Sequence, residues 1–289
     1  MPKRIKPFLL IAPHMALMVL FIAGLAVGIT QSLGVIPAFG LVEPTLMYYR
    51  EVLTRPDILQ SIAYSLRIAF VSAAASTIIG VGICAVLVVN DKARSGLVRL
   101  AQIPIIVPHV VVALFAVILC SQNGLLARAA YLCGLIREQS QFPALLYDGY
   151  GTGVILAYIW KETPFILYFV LALMANINSR LGEAAVNLGA SRWQAFRRVT
   201  LPLCRHAIMS GFLIIFVFAL GAYELPFILG ATKPKALPVL AYMEYIHPDL
   251  RNRPYAMALN GLVVLISVFS ACIYFVLMKN KIKSLGGRK

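Results

Sequence analysis

Lys161 and Glu162 stand side by side in the apolar run 151–175, and Glu224, preceded by Tyr223, lies in another at 207–230. An ionised side chain near the bilayer centre costs about 2.5–3.5 kcal/mol on insertion scales, so each must meet a partner or a wet cavity. Adjacent helical residues point about 100° apart, so Lys161 and Glu162 do not simply neutralise each other face to face. Two uses stay open for this pair. They could line a cavity near a solute or a partner chain, or they could serve structure, through an inter-helix ion pair or a snorkelling lysine. Glu224 could receive a cationic or amine solute through charge-assisted hydrogen bonds; it could equally pair with Lys161 or with another chain. Trp160 offers a face for a cation–π contact, although Trp in a helix bundle also serves packing. His14 and His109 sit beside Pro13 and Pro108 with no second ligand at metal spacing, and both read as structural.

Other chemistry is thin. The chain has neither an HExxH nor a GxSxG pattern and only 11 acids, so a clustered catalytic set at a membrane face is not in view. No G-x-x-x-x-G-K-[ST] phosphate loop occurs, which excludes ATP hydrolysis by the usual mechanism. The five cysteines are scattered without metal or redox spacing and read as small hydrophobes. We expect no cofactor and no metal.

The elements that position these residues are membrane helices. Hydrophobic residues make up 61% of the 289 and charged residues 13%, in long apolar blocks that no soluble domain would carry. Six stretches, about 8–30, 62–89, 100–120, 151–175, 207–230 and 256–278, can span ~30 Å of hydrocarbon. The first follows a basic start and is too long for a cleaved signal, so it reads as a retained helix. Pro104, Pro108, Pro164 and Pro226 fall well inside spans three, four and five. Such breaks survive where neighbouring helices or a cavity satisfy the freed carbonyls. Arg67, near the outer end of span two, reads as snorkelling, and residues 125–136 as either a short interfacial helix or an apolar loop.

The net charge of +15 is a topology signal rather than a nucleic-acid footprint. Sixteen Lys and Arg fall in the two tails and in the connections after spans two and four, beside only Asp91 and Glu183. The other side has eight, offset by seven acids. Both termini and the 176–206 loop are therefore expected in the cytoplasm.

That loop holds Glu183-Ala184-Ala185-Val186-Asn187-Leu188-Gly189-Ala190-Ser191-Arg192-Trp193-Gln194-Ala195-Phe196. Good helix formers over 180–188 end at Gly189, where a glycine cap belongs. Ser191 with Gln194 is a capping-box pattern that restarts a helix. The small residues Ala184, Ala185, Gly189 and Ala190 keep the turn slim enough for a groove on another protein, with Trp193 and Phe196 as anchors. The same pattern also suits an amphipathic helix resting on lipid headgroups.

The spacing E-A-A-x-x-x-G-A-S-x-x-x-x-F-x-x-V-x-L-P resembles the EAA loop of binding-protein-dependent ABC importer permeases. Asn123-Gly124-Leu125-Leu126, Phe142-Pro143-Ala144-Leu145-Leu146-Tyr147, Pro164-Phe165 and Tyr223-Glu224-Leu225-Pro226-Phe227-Ile228-Leu229-Gly230 resemble the spermidine/putrescine-type group. The resemblance implies an all-α type I importer permease fold in a bacterial inner membrane. Residues 1–60 would hold the accessory first helix, 61–278 a five-helix core, and 279–289 a basic tail. It also implies that Glu183, Ala184, Ala185, Gly189, Ala190, Ser191, Trp193 and Phe196 couple the chain to a cytoplasmic ATPase dimer, whose subunits bind the ATP. A second, related permease chain and an extracytoplasmic solute-binding protein would complete the system, in contact with membrane lipid and without nucleic acid. The competing function, a secondary transporter or channel working without ATPases, predicts inverted repeats, and none is detectable.

Overall fold

The computed structural model describes residues 6–286, with side chains described over 11–276 except at Leu97. Lys3, Arg4, Arg288 and Lys289, counted above for topology, lie outside the described residues.

The described chain is helical, with one isolated antiparallel bridge between Ile36 and Leu41. In order the helices are α1 (Lys6–Ser32), α2 (Met47–Thr54), α3 (Pro56–Val89), α4 (Gly96–Leu100), α5 (Ile103–Ile106), α6 (His109–Cys120) and α7 (Leu125–Leu132). They continue with α8 (Thr152–Ile177), α9 (Glu183–Asn187), α10 (Arg192–Ala195), α11 (Leu201–Leu203), α12 (Arg205–Gly221), α13 (Glu224–Leu229), α14 (Leu237–Tyr245) and α15 (Arg253–Gly286). Among the described residues, five helical stretches are long and apolar enough to cross a membrane, and a bent pair, Arg192–Leu203 with Arg205–Gly221, makes a sixth if it counts as one span.

Two compact units divide the chain. The first takes residues up to Leu59 together with Leu240–Leu265. Its α1 presents apolar side chains such as Leu17, Leu20 and Phe21 to its surroundings, as a lipid- or partner-facing helix must. Below it Tyr49 donates to Ser32 Oγ at 2.9 Å, and Tyr48 meets Tyr255 edge-on at 4.9 Å. Tyr255 also donates to Glu51, and Arg55 pairs with Asp57 and Glu244.

The second unit, Gln60–Val239 with the chain from Ile266 onward, is organised on α8. Val154, Tyr158, Ile166, Val170 and Met174 recur at helical spacing and are buried, and α5, α6, α12 and α13 all pack on this helix. On α3, Cys84 reaches the Leu167 carbonyl of α8 at 3.6 Å. Pro164 leaves α8 unbroken.

Two expected spans are not continuous helices. Span three, expected over 100–120, breaks at Val107, which is extended (φ −70°, ψ 126°), so α6 begins only at His109. Pro108 excludes the α conformation for the residue before it and supplies no N–H. Span five, expected over 207–230, breaks at Ala222, and α13 follows as a separate half-helix with Pro226 in its first turn, where the missing N–H costs nothing. Residues 125–132 are the short helix α7, which resolves the alternative left by sequence. Arg67 does not snorkel freely: it donates to the Gly149 carbonyl and lies 4.9 Å over the Tyr150 ring.

Candidate functional site

Both breaks point at one polar cluster. Lys161 is 6% exposed, and its ammonium donates to the carbonyls of Pro104, Ile105 and Val107 at 3.1, 3.3 and 2.6 Å. The Pro104 carbonyl would, in a continuous helix, accept from residue 108, which is a proline. The ammonium thus supplies the donors that the broken third span lost. Lys161 thus has a structural use within this chain, through carbonyls, and among the described residues no carboxylate lies within ion-pair distance of it.

Glu162 points to a different neighbour. Its Oε1 lies 3.9 Å from His109 Nε2, and Glu224 Oε2 lies 3.6 Å from His109 Nδ1. The imidazole lies between carboxylates of α8 and α13, beyond hydrogen-bond reach of either, and its ring also sits 5.3 Å from that of Phe218. Sequence alone marks His109 only as a histidine beside a proline; the Pro108 break makes it the first residue of α6 and puts it at the centre of this cluster. A histidine directly after a proline that breaks a membrane helix was the available signal. Glu224 keeps 53% of its side chain exposed, so that end of the cluster stays open. Tyr223 stacks on Phe227 at 4.8 Å, and Trp160 lies on an exposed face of α8 away from the buried stripe.

The 176–206 loop has the two-helix form that its capping residues specify. Gly189 holds φ +94°, its N–H donates to Val186 at 2.9 Å, and the Ala190 N–H donates to Ala185 at 3.1 Å. This is the paired bonding that closes a helix at a left-handed residue. Ser191 Oγ accepts from the Gln194 N–H at 3.2 Å while Gln194 Oε1 accepts from the Ser191 N–H at 3.0 Å. Ala184 and Ala185 lie on α9 and leave its face low, with Leu188 90% exposed at the tip.

Phe196 departs from its expected place. It is 3% exposed and anchors the loop to its own chain, whereas Trp193 stacks on it at 5.5 Å and stays 58% exposed. Their spacing of three puts the two rings on one helical face, and the deeper position faces the chain's own body. Arg192 ties the loop to the end of α3, donating to Asp91 Oδ2 at 2.7 Å and to the Val89 carbonyl at 3.3 Å. Sequence reasoning missed Asp91 as a partner because nothing local marks it.

Residues 76–283 match the family described as "Binding-protein-dependent transport system inner membrane component". The sulfate transport system permease protein CysW of Escherichia coli (strain K12) is 29% identical over 229 residues, covering 78% of this chain and 75% of that protein. The spermidine/putrescine transport system permease protein PotB of Haemophilus influenzae is 30% identical over 122 residues, 42% of each chain. A chain in the crystal structure of a bacterial ABC transporter that imports the acidic polysaccharide alginate superposes with TM-score 0.70. It is 20% identical, and the match covers 94% of this chain and 97% of that one, which shows the same type I importer fold. With the matched segment taking in most of the spans and the whole capped loop, the chain belongs to the family of binding-protein-dependent transport system inner membrane components, as a multi-pass permease subunit.

Proposed function

We propose that the chain forms half of the translocation pathway for a small charged solute delivered by an extracytoplasmic binding protein. Its loop from Glu183 to Phe196 docks on a cytoplasmic ATPase, and a second permease chain supplies the other half. The observation that carries the coupling role is the slim, doubly capped turn at Gly189, which holds Leu188 and Trp193 out into solvent. A lipid-resting helix has no need of so exact a stop and restart. Closure of the ATPases would move this loop and turn the pathway from one side of the membrane to the other. The excess of Lys and Arg on one side supports placing both termini in the cytoplasm.

An oxyanion of the sulfate kind is our first reading of the solute, because the likeness to CysW runs over 229 residues and that to PotB over 122. A second reading, a cationic solute of the polyamine kind, is favoured by the open carboxylate of Glu224. Reconstitution in proteoliposomes with the ATPase, the second permease and the binding protein tests both. ATP-driven uptake of labelled sulfate, molybdate and spermidine should require all components, and the permease alone should hydrolyse no ATP. Uptake by this chain without an ATPase would overturn the proposal.

Glu224→Gln keeps the side-chain shape beside His109 and removes its charge. On the cationic reading, uptake should fall about tenfold, the worth of one charge-assisted hydrogen bond to the solute, with assembly unchanged. Unaltered uptake kinetics at normal abundance would assign Glu224 to the bilayer or partner surface instead.

A further inference from the structure

Each arm of the capped loop contains one turn of π-helix, at Asn178–Gly182 before α9 and at Phe196–Thr200 after α10. Such turns are rare, well under one residue in a hundred, and cluster at functional sites. The two lie against each other and are joined by one side-chain bond: Thr200 Oγ1 donates to Asn178 Oδ1 at 3.2 Å.

The surroundings make this bond more than one contact among many. Asn178 stands in the wall between two cavities, of about 250 and about 890 Å³, which share Asp91, Asn178 and Glu183. Although the arms touch, Asn178 is flanked on this side by open space rather than by packed side chains. Thr200 is fully buried, and Asn178 folds over Gly182, where a Cβ would come within 2.5 Å of Asn178 Oδ1. The acceptor is thus seated by the one residue type that leaves room for it. Arg192 adds exposed and correspondingly weak ties to Asp91 and the Val89 carbonyl, which hold the loop to the end of α3 rather than one arm to the other.

We infer that Asn178 and Thr200 are positioning residues for coupling: their hydrogen bond staples the two arms so that displacement of the loop is passed to α8 and α12 rather than taken up by hinging at the π turns. The inference rests on the coupling role proposed for the loop. A push on the tip reaches the bundle only if the arms move as one body. With empty space on both sides of Asn178, an unstapled loop can rock into the cavities while the spans stay still.

The test uses the full complex in proteoliposomes, with ATP hydrolysis and uptake of labelled sulfate, molybdate and spermidine read on the same vesicles. Thr200→Val keeps the side-chain shape and removes the donor; Asn178→Ala removes the acceptor. Both should leave the ATPase co-purifying and ATP hydrolysis within about twofold of wild type, while uptake falls about tenfold, so that ATP spent per solute rises about tenfold. Thr200→Ser and Asn178→Asp, which keep donor and acceptor, should restore the ratio, and the double variant should be no worse than either single one. If Thr200→Val does not accumulate, Asn178→Ala, at a half-buried position, carries the test. An unchanged ratio, with hydrolysis and uptake both intact or both reduced in step, overturns the staple. Failure of the coupling reading itself looks different: a loop variant at Gly189 would then bind the ATPase and transport normally, and the staple falls with it.

Discussion

Gly189→Val is expected to abolish ATP-driven uptake while leaving the chain inserted and abundant. The glycine holds φ +94°, a conformation that costs a β-branched side chain at least ~1–2 kcal/mol. Among the described residues, apart from its own chain neighbours, nothing lies within 4 Å of where its Cβ would be, so the substitution strains the turn and disturbs no packing. What it changes is the angle between α9 and α10 and the breadth of the tip offered to a partner. Uptake should fall by roughly tenfold or more, and the ATPase should co-purify poorly. Gly189→Asn separates the two causes, because Asn tolerates the left-handed region but still adds bulk. Recovery with Asn assigns the loss to backbone strain, whereas persistent loss assigns it to a collision in the partner's groove. Normal co-purification and normal uptake in Gly189→Val would remove the main support for coupling through this loop.

Lys161→Met should destabilise the chain itself. It deletes the ammonium that serves three carbonyls at the Pro104–Pro108 break, and methionine fills the volume without offering a donor. One buried acceptor left unmet costs about 1–3 kcal/mol, and three sharing the loss should lower the melting temperature in detergent by roughly 5–10 °C. Lys161→Arg should recover part of this, since its planar fork meets three carbonyls less well than a compact ammonium. Thermal melts followed by fluorescence, beside uptake by the surviving protein, make the check. A variant with wild-type stability and altered solute preference would instead make Lys161 a pathway residue.

The polar cluster explains why these two lysine and glutamate neighbours diverge. Lys161 turns to backbone exposed by a proline break, and Glu162 turns to His109. Lys161 satisfies its buried ammonium through carbonyls on another element, as a charge in an apolar surround must, whereas Glu162 faces the imidazole at 3.9 Å without a hydrogen bond.

Sequence by itself determined the membrane class, the existence and approximate places of the spans, and the local form of the 176–206 loop. Hydropathy is a property of each segment alone, and a cap is set by residues three or four apart: Gly189 with Val186, Ser191 with Gln194. It also located the break at Pro108, since proline acts on its own backbone and that of its immediate neighbour, but not the break at Ala222, and Pro164, counted among the breaks, leaves α8 continuous. Tertiary structure alone decided what fills them. That Lys161 meets the carbonyls of the broken third span, that His109 lies between Glu162 and Glu224, that Phe196 turns inward while Trp193 stays out, and that Thr200 reaches Asn178 all depend on which helix lies opposite at which height. No periodicity encodes that. It follows from packing side chains of many segments into one volume at once, a condition that no single segment carries.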